Sequence, residues 1–303
     1  MFILFGLLAI GMLAASIDFS PTLDDADIDA NQSGGNGDDT LEGSTGNDLL
    51  IGEGGDDDLA GGDGNDLLYG REGDDTMSGG AGDDTIRGAS GDDWAAGGAG
   101  NDVIFLDSGN DTYQDIFEDM PDESAGDDSI EGGSGNDLII SGAGEDTIIG
   151  GSGHDTLADL GGASTVDGGN GMDVVAAFDE IPNTENGDVL IGGQGWDTLG
   201  GDAGDTMTGG EDRDLFTFET DTSHNGNADI LRITDFKLGE DILQITAPDY
   251  EADDLTAIAA RNPDHTLLQF KGETIAILEN TDAQAIASAL DDNLVDVFRI
   301  VEA

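Results

Sequence analysis

Between Gly34 and Thr217 the chain repeats a nine-residue pattern in which glycines and acidic residues come first and an apolar side chain recurs at position 8. The units GGNGDDTLE at Gly34 and GGDGNDLLY at Gly61 show the pattern clearly. Glycine at positions 1, 2 and 4 permits a tight turn with positive φ angles, and positions 7 to 9 alternate out, in, out as in a strand. Each unit is therefore predicted to form one turn and one short strand.

Eighteen such units are present: nine over residues 34–114, six over 123–176, two over 183–200 and one over 209–217. A three-residue strand is unstable alone, so the units must coil and stack, with each strand pairing with that of the next-but-one unit. The predicted fold class is all-β: a right-handed parallel β-roll, or β-solenoid, with position-8 side chains in a thin core between two sheets. Two short inserts and a small β-rich C-terminal cap complete it.

Position 6 is aspartate in seventeen of the eighteen units, and Ser164 is the exception. Stacking brings these carboxylates close together, beside turn carbonyls that glycine leaves uncovered. Several oxygen ligands at a flexible turn suit Ca²⁺ better than Mg²⁺, Zn²⁺ or copper. The predicted metal ligands are Asp39, Asp48, Asp57, Asp66, Asp75, Asp84, Asp93, Asp102, Asp111, Asp128, Asp137, Asp146, Asp155, Asp173, Asp188, Asp197 and Asp214.

The units GGAGDDTIR at Gly79 and GGSGNDLII at Gly132 fit the consensus GGxGxDxUx, which resembles the calcium-binding RTX repeats of bacterial type I secreted proteins. The resemblance covers residues 34–217. It implies that Ca²⁺ lies between units n and n+2, held by both position-6 aspartates and by turn carbonyls. The match is weaker at Ser164, and at Asp188 and Asp214, whose units lack glycine at position 4. Counting pairs of units predicts about eleven Ca²⁺ ions.

The net charge of −60, with 68 acidic and eight basic residues, argues against nucleic acid and anionic membrane surfaces as electrostatic partners. Cations are the expected partners. A chain this acidic and poor in aromatic residues is expected to stay disordered until it is neutralised. We therefore predict that it folds on binding calcium. The absence of cysteine excludes disulfides and thiolate metal sites.

Four regions are predicted along the chain. Residues 1–17 contain the apolar run Phe2–Ile17, which is either a membrane anchor, a cleaved signal or a buried helix, and which lacks the basic residue of an ordinary signal peptide. Residues 18–33 are an acidic linker, and residues 34–217 are the β-roll. Residues 218–303 are the cap, with a hairpin about Gly272, a helix over Asp282–Leu290 and an end similar to type I secretion signals.

Two features of the repeat point to interactions. The inserts Phe117–Pro121 and Phe178–Pro182 are either tolerated loops or an apolar clip that folds back onto a sheet. Outward positions 7 and 9 are mostly polar in odd units of the first block and mostly apolar in even units, for example Leu67 and Phe105. We expect this even-unit face to be covered, by another part of the chain or by a protein or polysaccharide partner.

The sequence contains no HExxH, GxSxG or phosphate-binding loop, and its three histidines are expected on the surface. The chain is therefore predicted not to be an enzyme. The leading interpretation is a calcium-binding, extracellular or cell-surface structural and interaction module, with membrane contact only through residues 2–17 if they are retained. The alternatives are a carbohydrate-active enzyme or its polysaccharide-binding accessory and, with less support, an adhesin or ice-binding surface.

Overall fold

The computed structural model describes residues 30–115, 126–177, 187–202, 204–219, 230–247, 255–262, 264–291 and 298–302. The apolar run Phe2–Ile17 and the motifs at 117–121 and 178–182 lie outside these ranges. Within them, no helix has the length and apolar character needed to cross a bilayer.

Two sheets, largely parallel, account for the described strands, which confirms the predicted all-β solenoid class. In spatial order the 14-stranded sheet contains β1 (Ala30–Asn36), β3 (Asp48–Gly54), β5 (Leu67–Glu72), β7 (Thr85–Ser90), β9 (Val103–Ser108), β11 (Ser129–Ser134), β13 (Thr147–Gly153), β15 (Thr165–Gly171), β17 (Val189–Gln194), β19 (Thr206–Glu211), β21 (Leu231–Ile233), β25 (Glu273–Leu278), β24 (Thr266–Phe270) and β23 (Leu255–Ala259). The 12-stranded sheet contains β2 (Thr40–Glu42), β4 (Asp58–Asp63), β6 (Thr76–Ala81), β8 (Trp94–Ala99), β10 (Thr112–Gln114), β12 (Leu138–Ser141), β14 (Thr156–Asp159), β16 (Val174–Ala177), β18 (Thr198–Gly201), β20 (Leu215–Glu219), β22 (Ile242–Ala247) and β26 (Phe298–Glu302).

Successive units alternate between the sheets, so each strand pairs in parallel with that of the next-but-one unit. In the first block the even units form the 14-stranded sheet, where Leu50 aligns with Leu68 and Ile86 aligns with Ile104. These position-8 side chains are fully buried. The core is consequently a thin column of aliphatic residues between the sheets, because one strand contributes only one or two inward side chains.

The sheets begin earlier and end later than the nine-residue pattern does. The last part of the predicted linker, residues 30–33, belongs to β1, which pairs with β3. Beyond Thr217, β21 and β22 extend one sheet each as a further turn of the solenoid. Larger apolar residues fill the core here, and the rings of Phe216 and Phe236 lie 6.1 Å apart.

The C-terminal cap contains the predicted hairpin and helix. Strands β24 and β25 are antiparallel about Gly272 and lie at the edge of the 14-stranded sheet together with β23. Helix α1 (Ala283–Asp291) begins after Asp282, whose Oδ1 accepts the Gln284 N–H at 2.8 Å. Ile286 packs into the core. The final strand, β26, pairs with β22 in the 12-stranded sheet.

Candidate metal centre

The position-6 residues lie in two rows, each made of side chains at or immediately before the first residue of the strands of one sheet. The row at the 12-stranded sheet contains Asp39, Asp57, Asp75, Asp93, Asp111, Asp137, Asp155, Asp173, Asp197, Asp214 and Asp241. The row at the 14-stranded sheet contains Asp48, Asp66, Asp84, Asp102, Asp128, Asp146, Ser164, Asp188 and Asp205. All except the half-buried Asp39 are buried. The structure thus brings every predicted ligand into one of two rows.

One carboxylate oxygen of the aspartates that follow the first member of each row accepts a backbone hydrogen bond from the preceding row member. The Asp66 N–H donates to Oδ1 of Asp84 at 2.7 Å, and the Asp84 N–H donates to Oδ1 of Asp102 at 2.7 Å. The same bond recurs along both rows. Beyond Asp39 and Asp48, which begin the two rows, each aspartate therefore holds the backbone of the turn two units earlier. This makes Asp or a comparable acceptor necessary at position 6 even before any cation is considered.

The other carboxylate oxygen is buried and accepts no hydrogen bond. This holds for Oδ2 of Asp57, Asp66, Asp75, Asp84, Asp93, Asp102, Asp111, Asp137, Asp146, Asp155, Asp173 and Asp197. A buried carboxylate oxygen without a donor is costly, so these atoms require either a proton or a cation. A charged oxygen in this position fits a hard cation such as Ca²⁺.

The glycine at position 1 makes room for this oxygen. A Cβ built on Gly79 would lie 2.3 Å from Asp84 Oδ2 and 2.6 Å from the Gly97 carbonyl oxygen, which belongs to the unit two further on. A Cβ on Gly52 would likewise meet Asp57 Oδ2 at 2.2 Å and the Gly70 carbonyl oxygen at 2.9 Å. The space that glycine leaves is therefore lined by oxygen atoms from two stacked units, as a calcium site formed between units n and n+2 requires.

The electrostatics of the rows also favour a cation. Burial, and in addition the charges of neighbouring aspartates, raises the pKa of Asp84 to about 7 and that of Asp102 to about 8, against the lowering effect of the donated backbone N–H. Burial is likewise the main cause that raises the pKa of Asp75, Asp137 and Asp173 to about 6, and that of Asp93, Asp111, Asp128 and Asp214 to about 7.

In the described part of the chain, no three His, Asp or Glu side chains form a metal-binding group by themselves. A cation in these rows would accordingly be shared between carboxylates and backbone carbonyls. Such a ligand set is ordinary for Ca²⁺, which accepts six to eight oxygens.

Two row members have no counterpart in the sequence prediction. Asp205 lies in the eight-residue segment 201–208, which is one residue short of a unit, yet its Oδ1 accepts the Asp188 N–H at 3.0 Å. Asp241 follows the last regular unit, and its Oδ1 accepts the Asp214 N–H at 3.1 Å. The Gly204–Asp205 pair before Thr-Met-Thr was a usable signal for the first. Asp241 keeps the position-4 glycine, Gly239, but has Phe236 and Lys237 in place of the glycines at positions 1 and 2.

The side chains at position 5 form a second series of hydrogen bonds to the backbone, called here the position-5 ladder, which stabilises the turns. Oδ1 of Asp56 accepts the Asp74 N–H at 3.0 Å, and Oδ1 of Asp74 accepts the Asp92 N–H at 2.8 Å. Here the side chain holds the backbone two units later, in the opposite direction to position 6. In the second block the exposed His154 takes this role, because its Nδ1 accepts the Met172 N–H at 2.8 Å.

The even-unit face predicted to be covered is half-buried in the folded chain. Leu49 is buried, and Leu67, Tyr69 and Phe105 are half-buried. The more exposed large apolar side chains of the repeat are Trp94, Leu138 and Val174 on the 12-stranded sheet, Met172 and Trp196 at position 5 of their turns, Leu160 in a turn, and Val189 on the 14-stranded sheet. A partner on the even-unit face therefore remains a prediction.

Comparison with known proteins gives a family match and a distant likeness to solved structures. The family model of the RTX calcium-binding nonapeptide repeat matches residues 33–68, 54–86, 78–113, 124–157, 149–177 and 187–206. No curated protein matches the chain. Among solved structures, a hyperactive, Ca²⁺-dependent, β-helical antifreeze protein from an Antarctic bacterium is similar at 16% identity and a TM-score of 0.43, over 93% of this chain and 96% of that one.

Proposed function

We propose that this chain, which belongs to the RTX calcium-binding nonapeptide repeat family, is a calcium-dependent scaffold whose β-roll forms when its position-6 carboxylates bind Ca²⁺. The family match confirms the resemblance in the repeat. The observation that carries the proposal is the set of buried Oδ2 atoms without a hydrogen-bond donor. Bound Ca²⁺ would supply the positive charge that these rows lack, and turn carbonyls of stacked units would complete its ligand set.

The net charge explains why folding should depend on the ion. Folding places rows of carboxylates at the spacing of neighbouring strands, about 4.8 Å, in a chain with a net charge of −60. Without a counter-ion these aspartates repel one another and also lose their hydration. Because the ligands are far apart in the unfolded chain, the free energy of calcium binding becomes free energy of folding.

We place the protein outside the cell, or on its surface, because calcium sites of extracellular modules work at the millimolar calcium of that compartment. We further propose that the chain is exported before it folds, through the C-terminal signal that the resemblance implies. The C-terminal strand β26 is paired with β22 in the folded chain, so an export signal in residues 298–302 would be accessible only while the chain is unfolded. The low calcium concentration of the cytoplasm would keep the chain unfolded until it is exported.

We propose a structural and interaction role rather than a catalytic one. The solenoid and its cap account for the described strands, and the position-6 aspartates already hold neighbouring turns, which supports a scaffold. His154 has a structural partner in the Met172 N–H, and His265 Nδ1 accepts the Asn280 N–H at 3.4 Å.

Far-ultraviolet circular dichroism of the full chain at pH 7.5 tests the proposal. In chelator we expect a disordered spectrum, and in millimolar CaCl₂ a β spectrum, with equal MgCl₂ as the matched control because Mg²⁺ demands a smaller, octahedral site. Calcium bound per chain is measured in parallel by equilibrium dialysis. A complete β spectrum in chelator, or equal folding by magnesium, would overturn the proposal.

A further inference from the structure

One repeat unit departs from the pattern at two positions at once. In residues 159–167 (DLGGASTVD), Asp159 replaces the usual glycine at position 1 and Ser164 replaces the aspartate at position 6. Considered separately, the first change inserts a buried charge and the second removes a predicted ligand. The structure relates the two.

Positions 1 and 6 of a unit share the same space. In the neighbouring unit of the other sheet, a Cβ on Gly150 would lie 2.6 Å from Asp155 Oδ2, so a side chain at position 1 competes with the position-6 carboxylate for space. In the unit 141–149 the residue at position 1 beside Asp146 is the small Ser141. The shorter Ser164 leaves this space free. The Asp159 side chain occupies the interior there and is completely buried. A carboxylate is thus kept in the unit, although it comes from the other end of the turn.

Ser164 and Asp159 divide the two roles of a position-6 aspartate. The Ser164 hydroxyl oxygen accepts the Asp146 N–H at 2.9 Å, which preserves the bond between stacked turns. The Asp159 carboxylate accepts the Ser141 hydroxyl at 2.8 Å on Oδ1 and the Gly161 N–H at 3.2 Å on Oδ2. After donating its proton, the Ser141 oxygen still has lone pairs for a cation.

Asp146 supplies a second buried carboxylate beside this one. Its Oδ2 is buried and accepts no hydrogen bond. The Ser141 hydroxyl connects the two carboxylates, because it donates to Asp159 Oδ1 at 2.8 Å and stands at position 1 of the unit whose position-6 residue is Asp146. Two buried carboxylates in such proximity require a shared proton or a cation between them.

We propose that Asp159 is a calcium ligand that replaces the missing position-6 carboxylate, so that Asp146, Asp159 and the Ser141 hydroxyl hold one Ca²⁺ together with turn carbonyls. This inference rests on the proposed calcium-dependent function. With Asp159 as a ligand, the unit that contains Ser164 again has a carboxylate for a calcium site, although its position 6 lacks one. The series of calcium sites along the 14-stranded sheet is then continuous from Asp146 to Asp188.

Four forms of the full chain test this assignment: the unchanged chain, Asp159→Gly, Asp159→Asn, and the double variant Asp159→Gly with Ser164→Asp. Calcium per chain is counted by elemental analysis after dialysis against a fixed free calcium concentration, and circular dichroism checks the fold. Each single variant should lose about one bound calcium ion, since one of the two carboxylates is removed. The double variant recreates an ordinary unit and should regain it.

The outcomes separate this assignment from the wider proposal. If the unchanged chain binds calcium and both single variants bind as much, Asp159 is not a ligand and the two carboxylates share a proton instead. A double variant that stays at the reduced count also overturns the assignment. If a single variant fails to fold in calcium, the double variant must fold and bind the full count, and its failure overturns the assignment too. An unchanged chain that binds no calcium overturns both proposals.

Discussion

Raising the pH of the calcium-free protein should unfold it, which is the reverse of ordinary acid denaturation. The relevant groups are the buried aspartates of the two rows, represented by Asp84, Asp93 and Asp102. Burial raises the pKa of the first two to about 7 and that of Asp102 to about 8, from a usual value of 3.8. The folded chain therefore holds protons that the unfolded chain releases.

The sign and size follow from linkage. Because the folded pKa lies above the unfolded one, the stabilising contribution is complete below pH 4 and is lost as the pH rises towards 7 or 8. For Asp84 the shift is about 3 units, and at about 1.4 kcal/mol per unit the loss is about 4 kcal/mol. A loss of this size at even one or two aspartates is a large part of the whole net stability of many domains, about 5–15 kcal/mol.

Circular dichroism of the calcium-free chain between pH 5 and pH 8.5 measures this. We expect a β spectrum near pH 5 that disappears between about pH 6 and 8, and calcium should restore it at pH 8 because the ion replaces the proton. The variant Asp84→Asn keeps an oxygen for the Asp66 N–H but carries no charge, so it should stabilise the calcium-free fold at pH 8 by up to about 4 kcal/mol while weakening calcium binding.

Asp58→Asn is the matched control, since Asp58 is exposed on the outer face of β4 and its loss should leave the midpoint unchanged. The reasoning is refuted if the calcium-free β spectrum is the same at pH 5 and pH 8. It is also refuted if Asp84→Asn and Asp58→Asn shift the midpoint equally.

Three further expectations concern the calcium-loaded protein and are measured by urea unfolding. Gly82→Ala should cost more than about 3 kcal/mol, because its Cβ would lie 2.0 Å from the Gly64 carbonyl oxygen at a φ of +132°, whereas Ala89→Gly, at a φ of +83°, should change stability by less than about 1 kcal/mol; equal effects would contradict the steric argument. Ile104→Ala should cost about 2–5 kcal/mol, because the side chain is fully buried in a thin core. Trp196→Ala should stay within about 0.5 kcal/mol, since 62% of the residue is exposed; a larger loss would show that Trp196 has a packing role.

The repeat period was sufficient to predict the alternating strands, the core side chains and the rows of aspartates, because each depends only on position within a unit. Asp205 was missed because one deleted residue shifts the pattern. Asp241 was missed because its turn keeps Gly239 at position 4 but has lost the glycines at positions 1 and 2. The relation between Asp159 and Ser164 depends on positions 1 and 6 sharing one space, which is a fact of three-dimensional packing.

The hydrogen bonds of the position-5 ladder could not be predicted from the sequence, for a different reason. An aspartate or asparagine in a glycine-rich turn is usually explained by solvation, and the sequence does not reveal that its oxygen meets a backbone N–H two units away. His154 shows the difficulty most clearly. It was predicted to be a surface histidine and is exposed, yet its ring nitrogen also completes the ladder.

Most neighbouring row members are separated by the same number of residues, so the regular units alone do not determine which turn stacks on which. The irregular units can supply this information. Most row contacts join residues 18 positions apart, so a chain displaced by one full turn would satisfy nearly all of them. The separation becomes 26 between Asp102 and Asp128, 24 between Ser164 and Asp188, and 17 between Asp188 and Asp205. Because these spacings are unequal, only one alignment of the stacked turns brings every row member to its hydrogen-bond partner.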